Sequence, residues 1–361
     1  MAEYPNPRRA VLRTKEYHPP LGSRDGVRLD FNENTFACSP KVLEVLGRVS
    51  RADLTRYPER ERVEQLVASH LGVNASQVLL TNGVDEAIHV LCQTFLDAGD
   101  EFLLPVPTYS MYEVYGSSTE AKVVSVQATE DFEFPLEPLL KKITPATKLI
   151  AIANPNSPTG RAVPRDWMMK VIERAPHAIV LVDEAYYQFY GQTVLDLIDR
   201  APNLVVARTF SKAYGLAGLR LGVLAAHESQ TRWMRRMISP YSVNGIALAC
   251  LPAAIEDDAY LKWYVEEVLE GRDRFAAALQ RLGVTYWPSE ANFILTKIGA
   301  MHKEFTAAMH RRNVLVRDRS SDPGCNGCVR ITIGTLEHTA IGIQALEESL
   351  AEIGWLSNEK R

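Results

Sequence analysis

No apolar stretch in this chain approaches the ~20 residues needed to cross a bilayer. The longest runs are strand-sized, such as Ala178 to Val182. The opening segment, MAEYPNPRRAVLRTKEYHPP, holds no apolar core of signal-peptide length, so a cytoplasmic location is expected. Neither sign of charge dominates: 40 Lys and Arg face 44 Asp and Glu. That balance argues against a broad basic surface for nucleic acid or anionic lipid. Cysteine is scarce, with 5 in 361 residues. An odd, small number in a long chain points to reduced thiols rather than a disulfide framework. Cys325 and Cys328, in DPGCNGCVR, form a CxxC pair with no second pair to complete a zinc site. They read as a tight Gly-rich turn between strands, and no metal is expected. Internal repeats and low-complexity blocks are missing. So are GxGxxG and GxxxxGK[ST] strings, which leaves a dinucleotide site or a nucleoside-triphosphatase poorly supported.

What is present is an ordinary globular composition, 46% hydrophobic and 23% charged, in a chain long enough for a large and a small unit. Residues 1–40 are proline-rich and read as irregular. Ser39-Pro40 then caps a helix through Leu46, and Val63 to Leu71 has helical spacing ended by Gly72. From Val78 the pattern alternates. Short apolar runs occur at Val78–Thr81, Glu101–Leu104 (ended by Pro105), Lys122–Val126, Lys148–Ala153, Ala178–Asp183, Leu204–Thr209 and Leu221–Ala225. Helical segments separate several of them, as at Asp85–Phe95. This predicts an α/β fold with a mostly parallel sheet covered on both faces. Long helices fill about 228–282. A smaller α+β tail follows, with strands at Ala291–Thr296, Val314–Arg317 and Cys328–Ile333 and a final helix from Glu337.

Ligands in open α/β sheets bind beyond the carboxyl ends of the strands, so the loops there carry the functional signal. NGVDEAI follows Val78–Thr81, and its helix N-terminus at Val84-Asp85 suits a phosphate. Taken alone it is more readily a plain capped helix. NPNSPTG, after Ala153, is a rigid turn. The strand AIVLVD ends in the carboxylate of Asp183, followed by Glu184, Ala185 and Tyr186. The most specific string is TFSKAYGLAGLRLG. There Lys212 lies among small residues, with Ser211 and Arg220 able to grip a phosphate. A lysine beside a phosphate site can form an imine with an aldehyde.

Taken in order, these strings resemble the fold-type I aminotransferases of class I/II. Within that class the chain most resembles the histidinol-phosphate aminotransferase family. The likeness runs from LDFNEN at Leu29–Asn34 to VRITIGT at Val329–Thr335. It implies a large domain with a seven-stranded sheet over 46–255, a small α+β domain over 256–361, and an arm over 1–45 packing with the small domain. It also implies pyridoxal 5'-phosphate held as a Schiff base on Lys212, whose freed amine then moves a proton. Asp183 would pair with the pyridinium nitrogen and Tyr186 would donate to the 3′-oxygen. Tyr109 would stack on the ring, while Ser211, Arg220 and the backbone of Val84 and Asp85 would hold the phosphate. Tyr57, in TRYPE, would reach the site of a neighbouring subunit, making a homodimer.

One departure stands out. The family has Asn directly before Pro-Thr-Gly, where this chain has Ser157 preceded by Asn156, so either residue could take that place. At the substrate end, Arg330 in VRITIGT and Arg317 in the VRD string would grip an acidic group. Two arginines suit a phosphate better than one carboxylate. The bland alternative for Arg317 is a surface pair with Asp318. Tyr17 and Asn32 lie where the family's arm closes over substrate. The implied reaction is a ping-pong transfer from histidinol phosphate to 2-oxoglutarate in histidine biosynthesis. The alternatives on the same frame are an aromatic amino-acid aminotransferase and a phospho-amino-acid decarboxylase. A non-enzymatic sensor of the cofactor is a third, though no helix-turn-helix fits the first 40 residues.

Overall fold

The computed structural model describes residues 5–14, 16 and 25–355; Tyr17 lies outside them. The strands are β1 (Val27–Leu29), β2 (Val78–Thr81), β3 (Glu101–Val106), β4 (Lys122–Gln127), β5 (Thr147–Ala153) and β6 (Ile179–Asp183). They continue with β7 (Leu204–Thr209), β8 (Gly222–Ala226), β9 (Thr285–Trp287), β10 (Phe293–Lys297), β11 (Val314–Asp318) and β12 (Cys328–Thr332).

Seven of them form one sheet in the order β2-β8-β7-β6-β5-β3-β4. β8 runs antiparallel to both its neighbours. The pairs from β7 to β4 are parallel. Every residue of β6 and β7 is buried. Their near-continuous apolar sequence follows from helices on both faces. Alternate side chains go to opposite sides, as strand geometry requires. Leu149, Ala151, Leu181 and Val205 pack with Ile88 and Leu91 of the helix Gly83–Phe95. Ile150, Ile152, Val180 and Val206 pack with Met168 and Val171 of the helix Arg165–Arg174.

The second sheet, β1-β11-β12-β10-β9, is antiparallel apart from its β1–β11 pair. Leu29, Phe293 and Ile331 from this sheet meet Phe275 of the long helix Asp258–Leu282 and Leu346 of the helix Leu336–Glu352. Gly283 ends the long helix in a left-handed conformation that a β-carbon would disfavour.

Two sequence expectations change. Pro105 does not end β3, which continues to Val106. The β3–β5 ladder stops at Leu103, while β4 pairs the strand through Val106. The missing N–H of Pro105 therefore faces no β5 partner. The first 40 residues are not uniformly irregular either: a short helix spans Arg9–Arg13, and Val27–Leu29 forms β1 against Val314–Val316. The Ser39 cap fits the expectation, its side chain accepting from Lys41 N at 3.1 Å. No helix among the described residues is long and apolar enough to cross a membrane.

Candidate active site

The carboxyl ends of β2, β5, β6 and β7 face β12 and the chain just past β1 across a cavity of about 240 Å³. Lys212 stands on its wall, three residues past β7, with Nζ donating to Phe31 O at 3.0 Å. Burial pushes the lysine's pKa down, and the nearby Arg330 and Arg220 push the same way. A lysine in that state carries more neutral amine, which is the nucleophilic and basic form.

Asp183 ends β6 at the cavity floor and is only 5% exposed. Its Oδ2 accepts from Tyr112 OH at 2.6 Å and its Oδ1 from Ala185 N at 3.0 Å. Burial outweighs these bonds and pushes the carboxyl up to about 6. A cation placed beside it would reverse that direction. Tyr186 follows three residues later and accepts from Asn32 Nδ2 at 2.9 Å. Asn32 is in turn fixed by Thr332, whose Oγ1 accepts from Asn32 N at 3.0 Å.

The far corner joins a helix start to a guanidinium. The helix Gly83–Phe95 begins there, and Val84 and Asp85 line the cavity with Ser211 and Arg220. Asp85 orients its neighbours, taking Arg220 Nη2 at 2.9 Å and Tyr109 OH at 2.7 Å. The corner admits no extra bulk: a β-carbon on Gly222 would lie 2.7 Å from Gly83 C and 2.9 Å from Val84 N. Arg220 itself sits at φ 54, a left-handed backbone that a non-glycine residue rarely adopts.

At the opposite end Arg317, Arg330 and Ser157 line the wall. Arg330 is 7% exposed, donating through Nη1 to Ser157 Oγ at 3.0 Å and through Nη2 to Asp30 O at 2.8 Å. Burial, with Arg319 and Arg317 nearby, pushes its pKa down to about 10. Arg317 lies over the Phe31 ring at 5.1 Å, and Asp318 instead takes His302 Nδ1 at 2.8 Å.

The structure separates two expected residues from this cavity. Asn156 faces the turn, giving Nδ2 to Pro107 O at 2.9 Å and to Thr159 Oγ1 at 3.0 Å. Ser157, not Asn156, faces the cavity. Tyr57 is 79% exposed and stacks on Tyr241 at 4.4 Å, outside the cavity of its own chain. Two residues were not anticipated. Tyr112, fully buried beneath Asp183, shares the PTYSMY string with Tyr109. Arg319 lines the wall beside Arg317, and period-two alternation along VLVRDR would have placed both on one side. Cys325, in the turn between β11 and β12, and Cys328, which opens β12, are free, buried thiols. Among the described residues no cluster of three His, Cys, Asp or Glu side chains could hold a metal.

A doubly covered sheet whose strand ends surround a half-buried lysine, closed by a second small sheet, is the frame of a fold-type I transferase. The family model for Aminotransferase class I and II matches residues 24–346, and the chain belongs to that family, whose members depend on pyridoxal phosphate. Among its relatives is the histidinol-phosphate aminotransferase of Thermoanaerobacter sp. (strain X514), 34% identical over 90% of this chain and 93% of that protein. That of Geobacillus sp. (strain WCH70) is 34% identical over 92% of each. The solved histidinol-phosphate aminotransferase of Sinorhizobium meliloti, in complex with pyridoxal-5'-phosphate, shares the fold. It aligns at TM-score 0.85 with 22% identity, over 98% of this chain and 99% of that one.

Proposed function

We propose that this chain transfers an amino group from histidinol phosphate to 2-oxoglutarate. The carrying observation is the polarity of the cavity. A half-buried amine and a buried carboxylate lie between two separate cationic corners, one at Arg220 and one at Arg330 and Arg317. One corner suits the cofactor's phosphate and the other an acidic group on the substrate. Relatives at 34% identity over nine-tenths of the chain bear the matching name.

The residues fit the cofactor on three counts. The Gly222 and Gly83 backbones leave a cradle that a β-carbon would fill, beside the N–H groups of a helix start. Asp183 is a carboxyl held protonation-prone by burial, and a cationic ring nitrogen is the partner that would relieve it. Lys212 is close enough to Tyr186, at 6.0 Å from its ring, for one small molecule to meet both. When bound, pyridoxal phosphate supplies an aldehyde for amines and a ring that accepts electron density from the substrate carbon.

The chain's own groups then have these roles. Lys212 would hold the aldehyde and, once displaced, serve as the base that moves a proton. Asp183 would keep the ring nitrogen protonated, with Tyr112 and the Ala185 N–H holding the carboxylate in place. Tyr186, oriented by Asn32, would donate to the 3′-oxygen, with Ser157 nearby in place of the family's Asn. Ser211, Arg220, Val84 and Asp85 would hold the phosphate. Tyr109, tethered to Asp85, would cover the ring. Arg330 and Arg317 would take the substrate's anion.

Tyr57 and its stacking partner Tyr241 are both exposed, an aromatic pair that a second copy would cover, which supports a homodimer with a shared site. Residues 46–255 would form the cofactor domain and 256–361 the small domain, the long helix Asp258–Leu282 starting just past the boundary. The arm over 1–45 would pack with the small domain through β1, while Arg8 Nη2 donates to Ser118 O at 2.9 Å on the large one, and the whole would work in the cytoplasm.

Borohydride reduction of the cofactor-loaded protein, followed by digestion, should label the peptide containing TFSKAYG. Cofactor absorbance should respond faster to histidinol phosphate than to phenylalanine, tyrosine or glutamate. A flat response to histidinol phosphate with a rapid one to an aromatic amino acid transfers the assignment to an aromatic aminotransferase.

A further inference from the structure

The substrate end of the cavity holds more positive charge than two arginines. Arg319 lies one residue past β11 and lines the same wall as Arg317 and Arg330. Its backbone is pinned from both directions: Arg319 N donates to Cys328 O at 2.9 Å, and Asp322 N donates to Arg319 O at 2.9 Å. Its guanidinium pairs with Asp322 through Nη2. Its Nε is buried without a hydrogen-bond partner among the described residues, as is Nε of Arg330. A buried, unmatched N–H is costly to keep and favours an acceptor that can reach it.

Asp322 reports on the same cluster. Burial lifts its carboxyl, while Arg319, then Arg330 and Arg317, pull it back down. Arg317, Arg319 and Arg330 line this wall together, with Asp322 paired to Arg319. A phosphate dianion offers such a wall two charges and three terminal oxygens. A single carboxylate offers one charge and two oxygens, and an apolar side chain offers neither. Arg330 already donates from Nη1 to Ser157 and from Nη2 to Asp30, so its fork is partly engaged before any substrate arrives. A doubly charged group with three equivalent oxygens needs a further donor at that wall.

We propose that Arg319, held at the cavity wall by Asp322, is a specificity-determining residue that engages the dianionic phosphate of the amino donor and contributes less to any substrate bearing a single carboxylate there. The proposal rests on the phosphorylated-donor reading above. Asp322 is a positioning residue within it, because it acts through Arg319.

The test compares wild type with Arg319→Gln and Arg319→Lys in the cofactor-loaded enzyme. Three quantities are read: KM for histidinol phosphate, KM for glutamate, and the inhibition constant of inorganic phosphate. For Arg319→Gln, KM for histidinol phosphate should rise on the order of tenfold or more, the scale of one charge-assisted hydrogen bond. The rise for glutamate should be several-fold smaller, and the phosphate inhibition constant should follow the histidinol phosphate KM. Arg319→Lys keeps the charge without the planar fork, so it should show the same order of effects at reduced size. It carries the test if the Gln variant does not fold. Equal rises for both substrates, or an unmoved phosphate inhibition constant, overturn the proposal and leave Arg319 a turn-stabilising ion pair. A wild-type enzyme that does not turn over histidinol phosphate instead overturns the donor assignment. The phosphate inhibition series then decides Arg319 separately.

Discussion

Replacing Asp183 with Asn should stabilise the cofactor-free protein at neutral pH while crippling it as an enzyme. Burial is the main cause that pushes the folded-state carboxyl up to about 6 from an ordinary 3.8. A carboxyl raised in this way makes folding less favourable above its folded pKa, where the charge must be buried. The penalty is absent well below pH 4, grows between about 4 and 6, and then levels off at about 3 kcal/mol. Asparagine removes it but satisfies Tyr112 OH and Ala185 N less well than a carboxylate, a loss of about 1–2 kcal/mol. The variant should therefore gain about 1–2 kcal/mol over wild type at pH 7.5, and that advantage should shrink by about 2 kcal/mol at pH 4.5. Urea unfolding of both cofactor-free proteins at the two pH values, at one protein concentration, measures the swing. In the loaded enzyme the sign reverses. A buried cationic ring without its carboxylate should weaken cofactor binding or turnover by about a hundredfold or more, the scale of a broken buried ion pair. A stability difference that stays constant from pH 4.5 to 7.5 would refute the assignment of a desolvated carboxyl at the cavity floor.

Gly222→Ala should lower cofactor affinity at least about tenfold, because its β-carbon would press on Gly83 C and Val84 N. Equilibrium titration with pyridoxal phosphate reads this directly, and unchanged affinity would mean the cradle is not the phosphate corner. Tyr57→Ala and Lys212→Ala should each abolish or strongly reduce turnover alone. Mixed dimers of the two should regain activity, since one of their two sites is intact. No recovery on mixing argues against a shared site. Ser157→Ala should change the cofactor's absorbance-versus-pH profile more than Asn156→Ala, whose side chain holds the Pro107–Thr159 turn. The reverse order would place Asn156 in the cavity instead.

The large sheet was legible because its strands are continuous apolar runs buried on both faces, and β7 matches its expected span at Leu204–Thr209. The loops after those strands were legible for a related reason: a strand end at a cavity forces polar residues onto an otherwise apolar pattern, as Asp183 does in AIVLVD. What escaped depends on distant partners. β1 is only Val27–Leu29, and nothing local marks it as a strand until Val314–Val316 is beside it. Pro105 read as a stop because sequence cannot say that the β5 ladder has already ended at Leu103. The choice between Asn156 and Ser157 was undecidable from NPNSPTG alone, since it turns on which side chain meets the Pro107 carbonyl. Arg319 follows Arg317 at the spacing that shares a strand face, but it lies one residue past β11, where sequence alone does not say that the strand period still holds.

The threading of β1 alongside β11 has a consequence for synthesis. Residues forming the seven-stranded sheet have all left the ribosome once Ala226 emerges, yet the cavity still lacks a wall. Asn32 must wait for Thr332, and the Asp30 carbonyl for Arg330. At about 5–20 residues per second, that delay is on the order of five to twenty seconds. Throughout it the newborn chain would hold the proposed cofactor corner, its front end tied at Phe31 and Asn32 to Lys212 and Tyr186 but still missing β12, so a polypeptide stopped there would bind the vitamin derivative without ever enclosing a substrate.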